Sequence, residues 1–415
     1  MIYYAFKIVM ISLSVNAFIE SKKLTLSASK CQRTHVDKQS RNKKDCQKLK
    51  IHENIMEDKT KAKYLGDLFD NSGKIRINIE ERRAKGFAIV NEILAIIEEI
   101  PPGKYKMEIG LSLGHAMLLN GILYNSEAWH NVKEKDIKSL EEVDEHLLRT
   151  LVHGHSKTPI EFLYLETGAI PIRYVIGSRR ICFLQTILKR KDSELTKRVY
   201  REQAKNPLNG DFYNLVKNDF DNIGEIINEE SIISSTKEAF KKHIKKKTRI
   251  AAFVYLQQKQ NMHSKVKNIR YTALETQQYI TSPIFSDKDV AILFALRSEC
   301  VKDCKANFKS QFKNQNEILC NLCNENKLDN QQHMLECKEL RKEIKSDDLV
   351  HQKIIYEDIF NNTIKQKNIA TLLGQFSEIK KSKTEKNNPS TLQTNCGVLK
   401  NGDYVQSCTN LSFGK

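Results

Sequence analysis

The stretch Ile137-Lys-Ser-Leu140-Glu-Glu-Val143-Asp-Glu-His-Leu147-Leu148-Arg-Thr-Leu151 sets the fold class of this chain. Its apolar residues recur at intervals of three and four, which is the spacing of one face of an α-helix. Charged residues fill the opposite face, as in a helix that packs one side against a core. The stretch therefore predicts an amphipathic helix in the middle of the chain.

The segments on both sides repeat this pattern. Apolar residues after Ile79 share one helical face until Pro101-Pro102, where the helix should stop. A further helix is predicted over 175–188. The chain has 16 Gly and 7 Pro in 415 residues, which disfavours turn-dense β architectures. We therefore predict a mainly α fold.

The N-terminal region has a different period. Apolar and polar residues alternate over 23–27, 34–36, 49–51 and 64–65, with basic turns between them. Such alternation is typical of short strands. The predicted fold class is mainly α with a small N-terminal α+β remnant.

The charge of the chain indicates a polyanionic partner. Lys and Arg number 68 against 51 Asp and Glu, a net charge of +17. Nucleic acid is the usual partner of such a chain, with an anionic membrane surface as the weaker alternative. The densest basic run covers 241–249. It is either a solvated helix face or a phosphate-contacting surface, and its candidate contacts are Lys241, Lys242, Lys245, Lys246, Lys247 and Arg249.

The cysteines cluster. Five of the ten fall between Cys300 and Cys337, and Cys320-Asn-Leu-Cys323 is followed by His333-Met-Leu-Glu-Cys337. Two close pairs joined by a short loop can wrap a tetrahedral zinc ion, and four protein ligands leave no position open for catalysis. The sequence thus predicts a structural zinc site, against the alternative of accidental clustering.

The first seventeen residues, MIYYAFKIVMISLSVNA, have features of a secretory signal. The metal-type cysteines and the basic charge instead favour a reducing compartment, nuclear or cytoplasmic. An intracellular location without a membrane span is the expectation, and secretion is the alternative.

Gly110-Leu-Ser112-Leu-Gly114 matches the nucleophile elbow of serine hydrolases. That elbow requires a strand before Ser112 and a helix after it. A secreted hydrolase using Ser112 is therefore a minor alternative, because the flanking sequence indicates helix on both sides.

Four segments, in this order along the chain, resemble the C-terminal part of reverse transcriptases from non-LTR retrotransposons. They are Leu24-Thr-Leu-Ser-Ala-Ser-Lys30-Cys31, Tyr64-Leu65-Gly66-Asp67, Asn125-Ser-Glu127-Ala128-Trp129 and Pro171-Ile172-Arg173. The resemblance spans about residues 16 to 345. The zinc-like motif falls where that family often carries a terminal Cys-Cys-His-Cys knuckle.

The resemblance implies a division of the chain. Residues 1–78 would be a β-rich palm-edge remnant and 79–190 a helical thumb-like domain. A basic helical region (191–310) and a zinc-knuckle-like module (311–345) would follow. Beyond the resemblance, the polar composition of residues 346–415 predicts a largely disordered tail. Tyr64, Leu65 and Gly66 would form the hairpin that grips the primer end. The alternative is a hairpin with Tyr64 packed in a core and Gly66 in a bulge.

The chain departs from the family at the catalytic metals. Those polymerases hold two magnesium ions on aspartates, including an adjacent pair that precedes the equivalent of Lys30-Cys31. In this chain Glu20 is the one acidic residue before Lys30. Loss of the metal-binding carboxylates should abolish the chemistry, so magnesium would act only if a catalytic core were supplied.

The expected function is that of a truncated, catalytically incomplete fragment that binds RNA or DNA of the primer-template type. The alternative is a non-enzymatic helical scaffold for protein interactions, or a decayed relic, whose protein partners the sequence does not identify.

Overall fold

A computed structural model describes residues 50–51, 54–55, 60–64, 66–70, 75–100, 106–129, 132–323, 325–343 and 363–387. The chain divides into two compact units, the first ending at Phe294 and the second beginning at Ala295. The strands predicted at 23–27 and 34–36 and the signal-like stretch lie outside the described residues.

Two short antiparallel hairpins open the described part of the chain. Strand β1 (Lys50–Ile51) pairs with β2 (Asn54–Ile55), and β3 (Lys61–Tyr64) pairs with β4 (Asp67–Asp70). In the second hairpin Tyr64 lies opposite Asp67. Strands predicted near 49–51 and 64–65 are confirmed.

The described residues of the first unit that follow β4 are mainly helical, as the periodicity predicts. Its elements are α1 (Arg76–Glu98), α2 (Lys106–Leu113), a π-helical segment (Gly114–Leu119), α3 (Asn120–Ile122), a 3-10 turn (Ser126–Ala128), α4 (Glu134–Leu151), α5 (Ile160–Thr167), α6 (Ile172–Leu188), α7 (Leu195–Lys205), α8 (Phe212–Asn222), α9 (Glu229–Ser234), α10 (Lys237–Gln260), α11 (Gln278–Thr281) and α12 (Asp287–Arg297).

The apolar stripe of α4 forms the predicted core face. Leu140, Val143 and Leu147 are buried, and α4 packs against α1. On α1, Val90 and Ile93 are also buried, and at Gly86 an added Cβ would lie 2.9 Å from Val143 Cγ1. Burial of such side chains stabilises the fold by roughly 1.5–3 kcal/mol each.

Helix α6 lies at the centre of the helical packing. It contacts α4, α7, α8, α9 and α10. Ile181 and Leu184 of α6 share one buried cluster with Val216 of α8 and Ile244 of α10. This arrangement fixes the orientation of α10, which carries the basic run.

Ser112 lies inside α2, and Gly114 begins the π-helical segment. The strand that a nucleophile elbow requires is not there, so the hydrolase prediction is wrong. Gly110 has a packing explanation instead, since an added Cβ would lie 2.5 Å from Leu151 Cδ2.

The described part of the second unit has short helices joined by loops and one long helix. It contains 3-10 helices at Lys305–Gln311 and Gln315–Ile318, followed by α13 (Gln331–Glu336), α14 (Lys338–Lys342) and α15 (Thr363–Asn387).

Helix α15 corrects the prediction of a largely disordered tail. Ile369, Leu373 and Phe376 are almost fully buried on one face of it. The polar residues that flank this short apolar stretch lower the average hydrophobicity of the segment and hide its helical spacing. The prediction is therefore wrong for 363–387, and the rest of that region lies outside the described residues.

Candidate metal centre and basic surface

Local structure brings the predicted zinc ligands together. Leu319 and Leu328 form an antiparallel bridge, and the Cys320 amide donates to the Lys327 carbonyl at 2.9 Å. These contacts close the loop that holds the first ligand pair. On the other side the Asn330 side chain caps α13 by accepting from the His333 amide at 2.8 Å. His333 and Cys337 then lie one helical turn apart.

The four predicted ligands converge. The donor atoms of Cys320, Cys323, His333 and Cys337 all lie within 4.8 Å of one another, and all four residues are buried. Cys323 Sγ is 3.3 Å from His333 Nε2. A tetrahedral zinc site with bonds of about 2.0–2.3 Å places its ligand atoms roughly 3–4 Å apart. The residues therefore fit a zinc ion after a small contraction of the shell.

The electrostatics of the cluster suit a cation. Burial, with smaller contributions from the neighbouring Cys320 and Cys323, raises the pKa of the Cys337 thiol to about 11. Burial, with a contribution from Lys327, lowers the pKa of His333, which favours the neutral imidazole that binds metals. A bound cation would supply the charge that these thiolates require.

Helix α15 braces the loop between the two ligand pairs. Lys380 Nζ pairs with the carboxylate of Asp329, which is buried, and donates to the Asp303 carbonyl at 2.7 Å. The Asp329 amide donates to the Ile318 carbonyl at 2.9 Å. Residues distant in sequence thus support the metal centre.

Two further cysteines lie nearby but outside the ligand set. Cys300 and Cys304 are buried, and Cys304 Sγ lies 3.6 Å from Met334 Sδ. Burial raises the pKa of the Cys304 thiol to about 12, so it stays protonated at neutral pH.

The basic run lies on α10, and its lysines divide into two groups. Lys241, Lys242, Lys245 and Lys246 are exposed, and none of the four forms an ion pair with a described residue. We call these four the lysine row. Phe240 and Ile244 point into the core between them. The row is therefore free to contact a partner.

Lys247 and Arg249 are engaged within the fold. Lys247 Nζ lies 2.7 Å from Glu225 Oε1. The Arg249 guanidinium donates to the carbonyl of Leu274 at 2.7 Å and to that of Gly168 at 3.1 Å. Arg249 thus ties α10 to neighbouring loops, a structural role that its place in a basic run does not reveal.

The β3–β4 hairpin is present where the primer-contacting residues are predicted. Tyr64 ends β3, Leu65 lies outside the described residues, and Gly66 has a φ of +87°. That backbone conformation favours glycine. An added Cβ would also lie 3.3 Å from the Tyr124 ring.

Sequence reasoning missed the network that anchors this hairpin. Arg82 Nη2 donates to Asp67 Oδ1 at 3.0 Å and to the Gly66 carbonyl at 2.7 Å. Asn78 Nδ2 also donates to Asp67 Oδ1 at 3.0 Å. The available signal was the pair of polar residues, Asn78 and Arg82, on the face of α1 that otherwise carries apolar residues and one glycine.

A cleft of about 430 Å³ lies between α4, α5, α6 and α10. Its glutamates are paired with bases: Arg173 lies 2.8 Å from Glu141 and 2.9 Å from Glu134, and His263 lies 3.1 Å from Glu161. The cleft is thus lined by an internal ion-pair network that joins the helices.

No family model, no curated protein and no solved structure matches this chain. Within the described residues, none of the helices combines the length and the apolar character needed to cross a membrane.

Proposed function

We propose that this chain binds nucleic acid as the C-terminal portion of a non-LTR retrotransposon reverse transcriptase, with one structural zinc ion in its second unit. The observation that carries the proposal is the lysine row, four exposed cations on one helix without acidic partners among the described residues. Clustered cations of this kind release counterions from a phosphate backbone.

The zinc part rests on the Cys320, Cys323, His333 and Cys337 cluster. A zinc ion held by these four side chains would stabilise the loops of the second unit, and its closed shell would leave no open position for a substrate. The ion would therefore have a structural function.

The β3–β4 hairpin would contact a primer strand through the segment Tyr64 to Gly66. Arg82 and Asp67 support this part of the proposal, because they hold the hairpin against α1. A rigidly held turn loses little conformational entropy when a strand binds to it.

The test is binding of the full zinc-loaded chain to a fluorescent primer-template duplex across salt concentrations. We expect log affinity to fall linearly with log salt. Substitution of all four lysine-row residues by Gln should weaken binding and make the slope shallower by about 0.9 for each phosphate that the chain no longer neutralises.

A matched control neutralises four exposed lysines elsewhere in the first unit: Lys85, Lys135, Lys217 and Lys267. Equal decreases in affinity of the two variants would show that net charge, and not this surface, determines binding. Absence of binding at low salt would favour the protein-interaction scaffold.

Primer extension tests the catalytic part of the proposal. We expect no template-dependent synthesis from this chain alone in magnesium, because it lacks an aspartate pair upstream of Lys30. Clear synthesis would overturn that part and leave the binding result unaffected.

A further inference from the structure

Tyr124 turns outward from a buried segment. Its side chain is 49% exposed, the highest value of any aromatic residue whose side chain the structure describes. The two residues before it, Ile122 and Leu123, are fully buried in the core. Tyr124 therefore offers a large ring to a partner at a position where its neighbours serve the interior.

The ring lies against the turn of the β3–β4 hairpin. A Cβ added at Gly66 would lie 3.3 Å from Tyr124 Cε1, and the Arg82 guanidinium carbon lies 5.5 Å from the ring centroid. Arg82 is buried and fixed, since it donates to the Gly66 carbonyl at 2.7 Å and to the Gly121 carbonyl at 3.2 Å. Because Arg82 is buried beneath the ring, the exposed half of Tyr124 faces away from Arg82.

The backbone on both sides of Tyr124 is also fixed. The Leu123 carbonyl accepts from the Arg179 guanidinium. Asn125 has a left-handed backbone conformation, with a φ of +59°, and its Nδ2 donates to Asp67 Oδ2 at 3.0 Å. A ring held in this way loses little conformational entropy when a flat ligand packs on it.

We propose that Tyr124 is a stacking platform for a nucleobase of the primer strand at the β3–β4 hairpin. Bases of any identity stack on exposed aromatic rings, because each has a π face. The lysine row contacts phosphates through charge, whereas this ring contacts the base itself. The inference rests on the proposed function, which places a primer strand at the same turn.

A purely structural role for Tyr124 is the competing explanation, because the ring also covers Gly66 and Arg82. Such a cover requires only apolar bulk, which leucine supplies without a flat π face. A structural role would also affect every primer equally, whereas stacking depends on the presence of one base. Variation of both the side chain and the base therefore separates the two roles.

The test is a double-mutant cycle between Tyr124→Leu and removal of single bases from the primer, with the full zinc-loaded chain. Fluorescence anisotropy measures binding of an intact primer-template and of versions with one abasic site at each of the last three primer nucleotides. On the intact primer we expect Tyr124→Leu to weaken binding roughly 5- to 100-fold, as for loss of one base–aromatic stack. At one abasic position the unaltered chain should lose a similar factor, and Tyr124→Leu should then have less than about a twofold effect.

Two control variants bracket this result. Tyr124→Phe keeps the ring and should stay within about twofold of the unaltered chain on every primer. Tyr213→Leu removes a partly buried tyrosine of α8, outside the hairpin cluster, and should also change affinity less than about twofold.

Tyr124→Trp gives a second measurement that does not depend on the stability of the leucine variant. Its exposed indole should lose fluorescence at saturation with the intact primer but not with the primer that lacks the stacked base. Trp129 is buried and contributes a constant background.

The outcomes separate this inference from the proposed function. If Tyr124→Leu has the same effect on the intact and all abasic primers, or no effect while loss of the lysine row abolishes binding, the inference fails and the function stands. Equal fluorescence of Tyr124→Trp with intact and abasic primers would also overturn the inference alone. If the unaltered chain does not bind the duplex, both fail.

Discussion

Asn125 Nδ2 donates a hydrogen bond of 3.0 Å to Asp67 Oδ2, which joins positions 58 residues apart in the chain. The second oxygen of Asp67 accepts from Asn78 and Arg82, both at 3.0 Å. Asn125 reaches this carboxylate from a left-handed backbone conformation, with a φ of +59°. The β3–β4 hairpin, the first turns of α1 and the segment at Asn125 thus form one structural cluster.

Replacing Arg82 should strongly destabilise the first unit. Its side chain and that of Asp67 are 6% and 10% exposed, so Arg82→Met would leave a buried carboxylate without its charged partner. We expect a loss of about 3–5 kcal/mol. Urea unfolding followed through the fluorescence of Trp129, the one tryptophan of the chain, measures it.

Arg83→Met is the matched control on the next residue. Arg83 pairs with Glu142 at 2.9 Å, but both side chains are about half exposed. Such surface pairs contribute about 1 kcal/mol or less. Equal effects of the two substitutions would contradict the structural role of Arg82.

Elements set by local sequence could be predicted, and long-range pairings could not. The face of α4 followed from the spacing of Leu140, Val143 and Leu147. The four residues of the candidate metal cluster could be identified because each pair lies within five residues along the chain. The Arg82–Asp67 ion pair could not be predicted, because no periodic pattern of residues relates a hairpin to the helix that follows it.

Helix α15 and Arg249 show two other limits. Ile369, Leu373 and Phe376 are a small apolar minority in a polar segment, so average composition indicated disorder. Arg249 has the same sequence surroundings as the lysine row, yet its guanidinium binds two carbonyls inside the fold. Composition describes the charge of such a run but not which side chains the fold uses.

Gly168→Ala should destabilise the first unit more than Gly224→Ala does. Both glycines have a φ of +67°, a conformation that costs other residues about 1–2 kcal/mol. At Gly168 an added Cβ would also lie 2.4 Å from the Thr276 amide nitrogen, whereas at Gly224 nothing lies within 4 Å. Trp129 fluorescence during urea unfolding compares the two, and equal losses of stability would contradict the close backbone approach at Gly168.

Cys323→Ser should abolish stoichiometric zinc binding. We expect about one zinc ion per purified chain and, with cobalt in its place, thiolate-to-metal absorption. Cys300→Ser replaces a buried cysteine of the same unit that lies outside the ligand set, and it should retain the metal. Loss of zinc from both variants, or from neither, would contradict the four-residue site.

Lys380→Met should loosen the second unit. It would leave the Asp329 carboxylate buried without its cation, a change that typically costs about 3–5 kcal/mol. Lys381→Met, on the exposed side of the same helix, should cost under about 0.5 kcal/mol. Hydrogen exchange of 295–343 measures the difference. Unchanged exchange in Lys380→Met would show that α15 does not brace the metal loop.

The stability of the first unit should depend on the protonation of Asp144. This carboxyl is fully buried, and burial raises its pKa to about 7, although the Tyr164 hydroxyl donates to it at 3.0 Å. Between about pH 4 and pH 7 the folded chain keeps a proton on Asp144. The unfolded chain, with an ordinary aspartate pKa near 3.9, has already released that proton. Stability from this group therefore falls as pH rises from about 4 to about 7, by about 1.4 kcal/mol per pH unit, and is constant above that range.

Asp144→Asn keeps the shape of the side chain and removes the titration. We expect the stability of the variant relative to the unaltered chain to rise by about 3 kcal/mol between pH 5 and pH 8, because only the unaltered chain must bury a charge above pH 7. Trp129 fluorescence in urea at both pH values gives the comparison, with the exposed Asp221→Asn as the control for loss of one carboxylate. A difference between variant and unaltered chain that is the same at both pH values would show that Asp144 stays ionised in the folded state.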